Sequence, residues 1–210
     1  MNNLLNEISE NLQKGKAKIV GELVQQAIDE GASPDDVLES LLAGMDVIAV
    51  KFKNNEVYVP EVLIAARAMN TGTSLLKPYL GEGLKGVGKV VIGTVKGDMH
   101  DIGKNLVRMM FEGKGFDVVD LGVDVSPERF LEAYEAEKPD IIALSALLTT
   151  TMPEMKNTID AFIEAGVRND VIFMVGGAPI TDDFCKSIGA DYYTADAASA
   201  AETAKEAVTK

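Results

Sequence analysis

Apolar positions recur at helical spacing through roughly the first 80 residues, then switch to short unbroken runs separated by helical stretches. Leu4, Leu5, Ile8 and Leu12 predict a first helix over about 3–14. Ile19, Leu23 and Ala27 predict a second over about 17–30, closed by Gly31. Ser33, Pro34, Asp35 and Asp36 read as an N-cap, a proline at the first helical position and acids in the first turn. That third helix runs to about Lys53 and is broken by Asn54 and Asn55. Pro60 opens a fourth, from Glu61 to about Leu80. Four helices with short joints predict an up-and-down bundle.

Four glycines between 81 and 88 predict a linker, dividing a helical domain (1–87) from a second domain (88–210). In the second, apolar runs at 89–95, 116–121, 140–146, 171–175 and 191–194 alternate with helices at about 103–113, 127–137, 153–165, 180–188 and 197–208. Such alternation implies a parallel sheet covered on both faces. The expected fold is therefore α/β with an all-α N-terminal domain: a four-helix-bundle cap and a flavodoxin-like, Rossmann-like five-stranded parallel sheet of order 2-1-3-4-5.

Composition narrows the function. Hydrophobic residues make up 47% and charged residues 25%, enough apolar material for a sizeable core. A net charge of −13 argues against nucleic acid and anionic membranes as partners. There is no apolar stretch of membrane-spanning length and no basic region followed by an apolar one at the N-terminus, so a cytoplasmic location is expected. Cys185 is the single cysteine, which excludes an intramolecular disulfide and a multi-cysteine metal site. His100 is the single histidine, so any imidazole chemistry must use it.

In an open parallel sheet, ligands bind beyond the carboxyl ends of the strands, where the strand order reverses. Three loops qualify. After strand 1 come Gly97, Asp98, Met99, His100, Asp101, Ile102 and Gly103; after strand 3, Ser145, Leu147, Thr149 and Thr151; after strand 4, Gly176, Gly177 and Ala178. Asp98 and His100 can point to one side of their loop, where a carboxylate would set the tautomer of a metal-binding imidazole. A lone Asp-x-His is also a common surface hydrogen bond. Zinc needs three or four protein ligands, whereas one histidine suits a metal already held by a macrocycle.

Asp98-x-His100-x-x-Gly103, then 41 residues, Ser145-x-Leu147, then 28 residues, Gly176-Gly177 resembles the signature of the base-off/His-on B12-binding family. This family includes the cobalamin domain of methionine synthase and the corrinoid proteins of methanol, methylamine and methoxyarene methyltransferase systems. The resemblance covers about 88–210, and the N-terminal helices resemble the cap of the methyltransferase branch. It implies cobalamin as cofactor, cycling through methylcobalamin, Co(I) and Co(II) forms. It implies that His100 displaces the nucleotide base as lower cobalt ligand, that Asp98 hydrogen-bonds to His100, and that Thr151, where methionine synthase has serine, completes the relay. Protonation of that network would assist loss of the ligand on reduction to Co(I). Ser145, Leu147 and Thr149 would line the channel for the displaced base, Gly176 and Gly177 would let it pass close to backbone, and the Tyr193–Thr194 segment would close the far side. In the cap, Phe52, Val59, Val62 and Leu63 would cover the upper face of the corrin.

The implied partners are a substrate:corrinoid methyltransferase, a methylcorrinoid:acceptor methyltransferase (using tetrahydrofolate or coenzyme M) and a reductive activator. The chain would be a methyl carrier that is not catalytic alone. Alternatives are a B12-dependent sensor or regulator, a mutase small subunit, and a receiver-type domain without B12. Plainer readings of the same residues also stand: Thr149–Thr151 as a helix N-cap, Gly176–Gly177 as a turn, and the four cap residues as bundle core.

Overall fold

The computed structural model describes residues 2–76, 78–79 and 87–209. They form two compact units. The first contains α1 (Asn2–Gln13), α2 (Ala17–Asp29), α3 (Pro34–Lys53) and α4 (Val59–Leu76). Ser33 caps α3 as expected, its side chain accepting the Asp35 N–H at 3.2 Å. Helix α1 packs on α3 and α2 on α4. Ile8, Leu12, Val20, Val24, Leu41, Met69 and Leu76 are buried between them. A Cβ on Gly72 would stand 2.8 Å from Leu41 Cδ1, so glycine is what lets α4 approach α3 there.

Helix α4 ends at Leu76, short of the expected Leu80. Pro78, with no N–H to continue the ladder, stops it. Of the expected linker, Gly81–Gly86 lies outside the described residues, and Gly88 already belongs to the first strand.

The second unit contains β1 (Gly88–Thr94), all but the last two residues of α5 (Ile102–Gly113), β2 (Phe116–Asp120), α6 (Pro127–Glu137), β3 (Ile141–Ser145), α7 (Met152–Glu164), β4 (Ile172–Gly176), α8 (Asp182–Ile188), β5 (Tyr192–Tyr193) and α9 (Ala197–Val208). The sheet is five-stranded and parallel, in the order β2-β1-β3-β4-β5. Strands β1 and β3 are apolar on both faces because helices cover both, which is why they read as runs rather than alternations. In the core, the Phe162 ring meets Tyr134 and Phe173 edge-on, with centroids 5.4 and 4.9 Å apart. Ser126, Thr181 and Asp196 cap α6, α8 and α9; Thr181 delays the start of α8 to Asp182 from the expected residue 180. Among the described residues, no helix is long and apolar enough to cross a membrane.

Candidate functional site

Strand order reverses between β1 and β3, and the chain leaving β1 carries His100 across that point. Val95 still pairs with its neighbours: its N–H donates to Ser145 O at 3.0 Å, and it bridges to Val125. Gly97 then turns the chain at φ +78°, a conformation that a Cβ disfavours.

Asp98 is completely buried and surrounded by donors. Its Oδ1 accepts from the His100 ring Nδ1 at 2.7 Å and from the His100 N–H at 3.1 Å. Its Oδ2 accepts from Leu147 N–H at 2.8 Å, from Leu148 N–H at 3.3 Å and from the Thr151 hydroxyl at 2.8 Å. Burial by itself would raise the Asp98 pKa, but the bonds from Leu147, from the His100 ring and N–H, and from Thr151 outweigh it. The carboxyl is held well below the usual carboxylate range. An ionised carboxylate only accepts, so Nδ1 is the nitrogen that donates. In a neutral imidazole Nε2 would then keep its lone pair, on a side chain that is 50% exposed. The ring is anchored at Nδ1, an arrangement that suits a metal ligand at its other nitrogen.

The Thr151 hydroxyl has one proton and two acceptors, Asp98 Oδ2 at 2.8 Å and Leu148 O at 2.9 Å. The charged oxygen is the stronger acceptor. Thr151 does occupy the N-cap position of α7, but its side chain makes no capping hydrogen bond. The hydroxyl serves Asp98 instead, which corrects the reading of Thr149–Thr151 as a capping group.

The surroundings of His100 are apolar yet exposed. Met99 is 68% exposed, Ile102 83%, Leu147 43% and Leu148 41%. Fully burying such a side chain from full exposure contributes about 1.5–3 kcal/mol, and a flat ligand laid across these partly covered ones gains a fraction of that from each. Gly103 and Gly176 face open space: a Cβ at either would meet nothing within 4 Å. Gly177 differs. A Cβ there would fall 1.8 Å from Ala146 O, and its φ is +136°. Its glycine is demanded by the contact between the β3 and β4 loops, which favours the turn reading for this residue over one of ligand clearance.

Among the other expected site residues, Asp101 starts α5, its carbonyl accepting the Asn105 N–H at 2.7 Å. Ser145 is half-buried at the end of β3, and Thr149 and Ala178 are exposed. Tyr193 closes β5 beside Val175 and packs on the core, and Thr194 is half-buried. On the helical unit, Val59 and Leu63 are each 38% exposed and Phe52 is half-buried. Val62 has no exposed surface and lies with Ala65, Ala66 and Met69 on the buried side of α4. Its burial favours the plainer reading of Val62 as bundle core over one that covers the corrin.

Two residues that sequence reasoning passed over hold the His100 loop. The buried Thr94 hydroxyl donates to His100 O at 2.8 Å. A hydroxyl at the end of an apolar strand was its only signal. Asp124, at φ +53°, accepts the Gly97 N–H at 2.7 Å on Oδ1 and donates its own N–H to Asp98 O at 3.0 Å. Nothing local marks Asp124. Among the described residues, no group of three or more His, Cys, Asp or Glu could hold a bare metal ion. One presented imidazole beside an apolar shelf with glycine clearance fits a metal carried by a planar macrocycle.

Known proteins give the family. The B12 binding domain model matches residues 88–205, and a second model of the same description matches residues 4–77. The chain belongs to the B12-binding family, and its cofactor is cobalamin. Within that family it stands with the corrinoid proteins. It is 43% identical over 180 residues to trimethylamine corrinoid protein 1 of Methanosarcina acetivorans, covering 84% of this chain and 83% of the relative. It is 40% identical over 206 residues to the dimethylamine corrinoid protein of Methanosarcina barkeri, covering 97% and 96%. Among solved structures, it matches a chain of the methanol:cobalamin methyltransferase complex of Methanosarcina barkeri with a TM-score of 0.90 and 33% identity, over 100% of this chain and 81% of that one. A cobalamin-binding protein from Desulfitobacterium hafniense matches with a TM-score of 0.80 and 29% identity, over 97% and 98%.

Proposed function

We propose that this protein is the methyl-carrying corrinoid subunit of a methyltransferase system, binding cobalamin base-off with His100 Nε2 as the lower cobalt ligand. It takes a methyl group from a substrate:corrinoid methyltransferase and passes it to a second methyltransferase acting on tetrahydrofolate or coenzyme M, with a reductive activator to restore it, in the cytoplasm. When bound, the cobalt supplies the methyl-accepting and methyl-donating centre. The chain's own residues do the rest. Asp98 fixes the imidazole and Thr151 fixes Asp98; a proton delivered to this network would weaken the hold of His100 on the metal. Gly103 and Gly176 leave room for the ring and its tail, and Ser145, Leu147 and Thr149 line the path of the displaced base. The helical domain, taken as 1–87 against 88–210, shields the upper face through Phe52, Val59 and Leu63, and excludes water until a partner docks.

The observation that carries this reading is the buried Asp98 held 2.7 Å from His100 Nδ1, on an imidazole side chain that is 50% exposed. Reconstitution of the apo-protein with methylcobalamin tests it, comparing visible spectra of wild type and His100→Ala. Wild type should show His-coordinated, base-off cobalamin, and the variant should lose the coordination. No uptake by well-folded wild type would sink the reading.

A further inference from the structure

The first turn of α5, directly after Gly103, holds a buried cation. The Lys104 side chain is 2% exposed. A lysine is electrostatically misplaced there, because the N-terminal turn is the positive end of the helix dipole. An ammonium removed from water also needs a full set of acceptors. Lys104 has them: Nζ donates to Asp120 Oδ1 at 2.7 Å, Asp120 Oδ2 at 2.6 Å and Asn105 Oδ1 at 2.9 Å. Asp120 is the last residue of β2 and also accepts from Gly122 N–H at 2.9 Å and Arg108 Nη1 at 3.2 Å.

Stability is a poor reason to keep such a pair, since apolar replacements of buried ion pairs are often neutral or stabilising. Its position suggests another. Gly122 O accepts the Thr94 N–H at 3.0 Å, and the Thr94 hydroxyl holds His100 O at 2.8 Å. Lys104 therefore reaches the histidine by two routes: along the chain through Gly103, and across the β2 loop through Asp120, Gly122 and Thr94.

We propose that the Lys104–Asp120 ion pair is a positioning device for His100, locking the first turn of α5 to the end of β2 so that Nε2 meets cobalt at a fixed place. The inference rests on His100 being the lower ligand.

Lys104→Met tests it, with Lys104→Arg and His100→Ala beside wild type. Methionine has similar length and no charge. Asp120 keeps Arg108 and the Gly122 N–H, so no carboxylate is stranded. Each apo-protein is melted, and each cobalamin-loaded protein is reduced to Co(II) for electron paramagnetic resonance, where a coordinated nitrogen splits the cobalt lines. Apo Lys104→Met should melt at or above the wild-type temperature. Its ratio of nitrogen-coordinated to uncoordinated Co(II) should fall about fivefold, less than the tenfold or more typical of removing a group that touches the ligand itself. The Co(II)/Co(I) midpoint should rise by about 40 mV, the same fivefold at about 59 mV per tenfold for one electron. Lys104→Arg, which keeps the cation in altered geometry, should fall between, and it carries the test should Lys104→Met not fold. Wild-type splitting and potential in the folded variants would overturn the proposal alone. Missing nitrogen splitting in wild type would overturn the His100 reading and this proposal with it.

Discussion

Thr151 and Asp98, 53 positions apart in sequence, are joined by a 2.8 Å hydrogen bond with both residues buried. Removing the hydroxyl while keeping the shape isolates that bond. Thr151→Val should cost about 1–3 kcal/mol of stability, the range for a buried bond to a charged acceptor. Thr151→Ser should restore most of it. Urea unfolding of the three proteins at neutral pH measures both.

The low pKa of Asp98 makes part of the stability depend on pH, and the sign is fixed. A carboxyl whose folded pKa lies below its unfolded value of 3.8 stabilises fully above that value, and the contribution falls as pH drops below it. Below pH 3.8 the unfolded chain binds a proton that the native state refuses, a slope of about 1.4 kcal/mol per pH unit. Asp98→Asn should be less stable than wild type by about 2–3 kcal/mol at neutral pH, because its amide N–H groups face donors. That gap should narrow steadily below 3.8. Chemical denaturation across pH 2.5–7 reads it; a pH-independent gap would contradict the assignment.

The two glycines after β4 should behave oppositely. Gly177→Ala places a Cβ against Ala146 O at 1.8 Å and should destabilise the apo-protein by about 3 kcal/mol or more. Gly176→Ala meets nothing in the apo-protein within 4 Å of its Cβ, so its melting temperature should stay near wild type while cobalamin uptake drops. Gly103→Ala should do the same. Thermal melts and cobalamin titrations separate the two effects.

Asp124 clasps the His100 loop through one side-chain acceptor and one backbone donor. Asp124→Asn keeps an acceptor and tolerates positive φ, so it should retain wild-type coordination. Asp124→Ala loses both advantages and should cost about 1 kcal/mol and broaden the range of His100 positions. Amide hydrogen exchange at Gly97 and Asp98 should quicken in the alanine variant and stay near wild type in the asparagine variant.

Much of the fold was legible from local signals. The change from helical period to apolar runs near Gly88, and the caps at Ser33 and Ser126, are effects within a few residues of chain. Alternating strands and helices then left few topologies, and the observed order β2-β1-β3-β4-β5 is the one expected. That order put the only histidine of the chain on the loop after β1 without reference to any contact.

Tertiary structure decided what those residues touch. Asp98 takes its Oδ2 bonds from Leu147, Leu148 and Thr151, roughly 50 positions away, and only the pairing of β1 with β3 creates them. Val62 and Leu63 are neighbours of similar polarity, yet packing buries one and leaves the other 38% exposed. Gly176 and Gly177 are identical in sequence, and only the approach of Ala146 O tells a glycine that leaves space from one that the chain itself requires. Periodicity and capping are short-range and leave a trace in the order of residues. Hydrogen-bond partners and clearances depend on where distant segments arrive, and no local pattern encodes that.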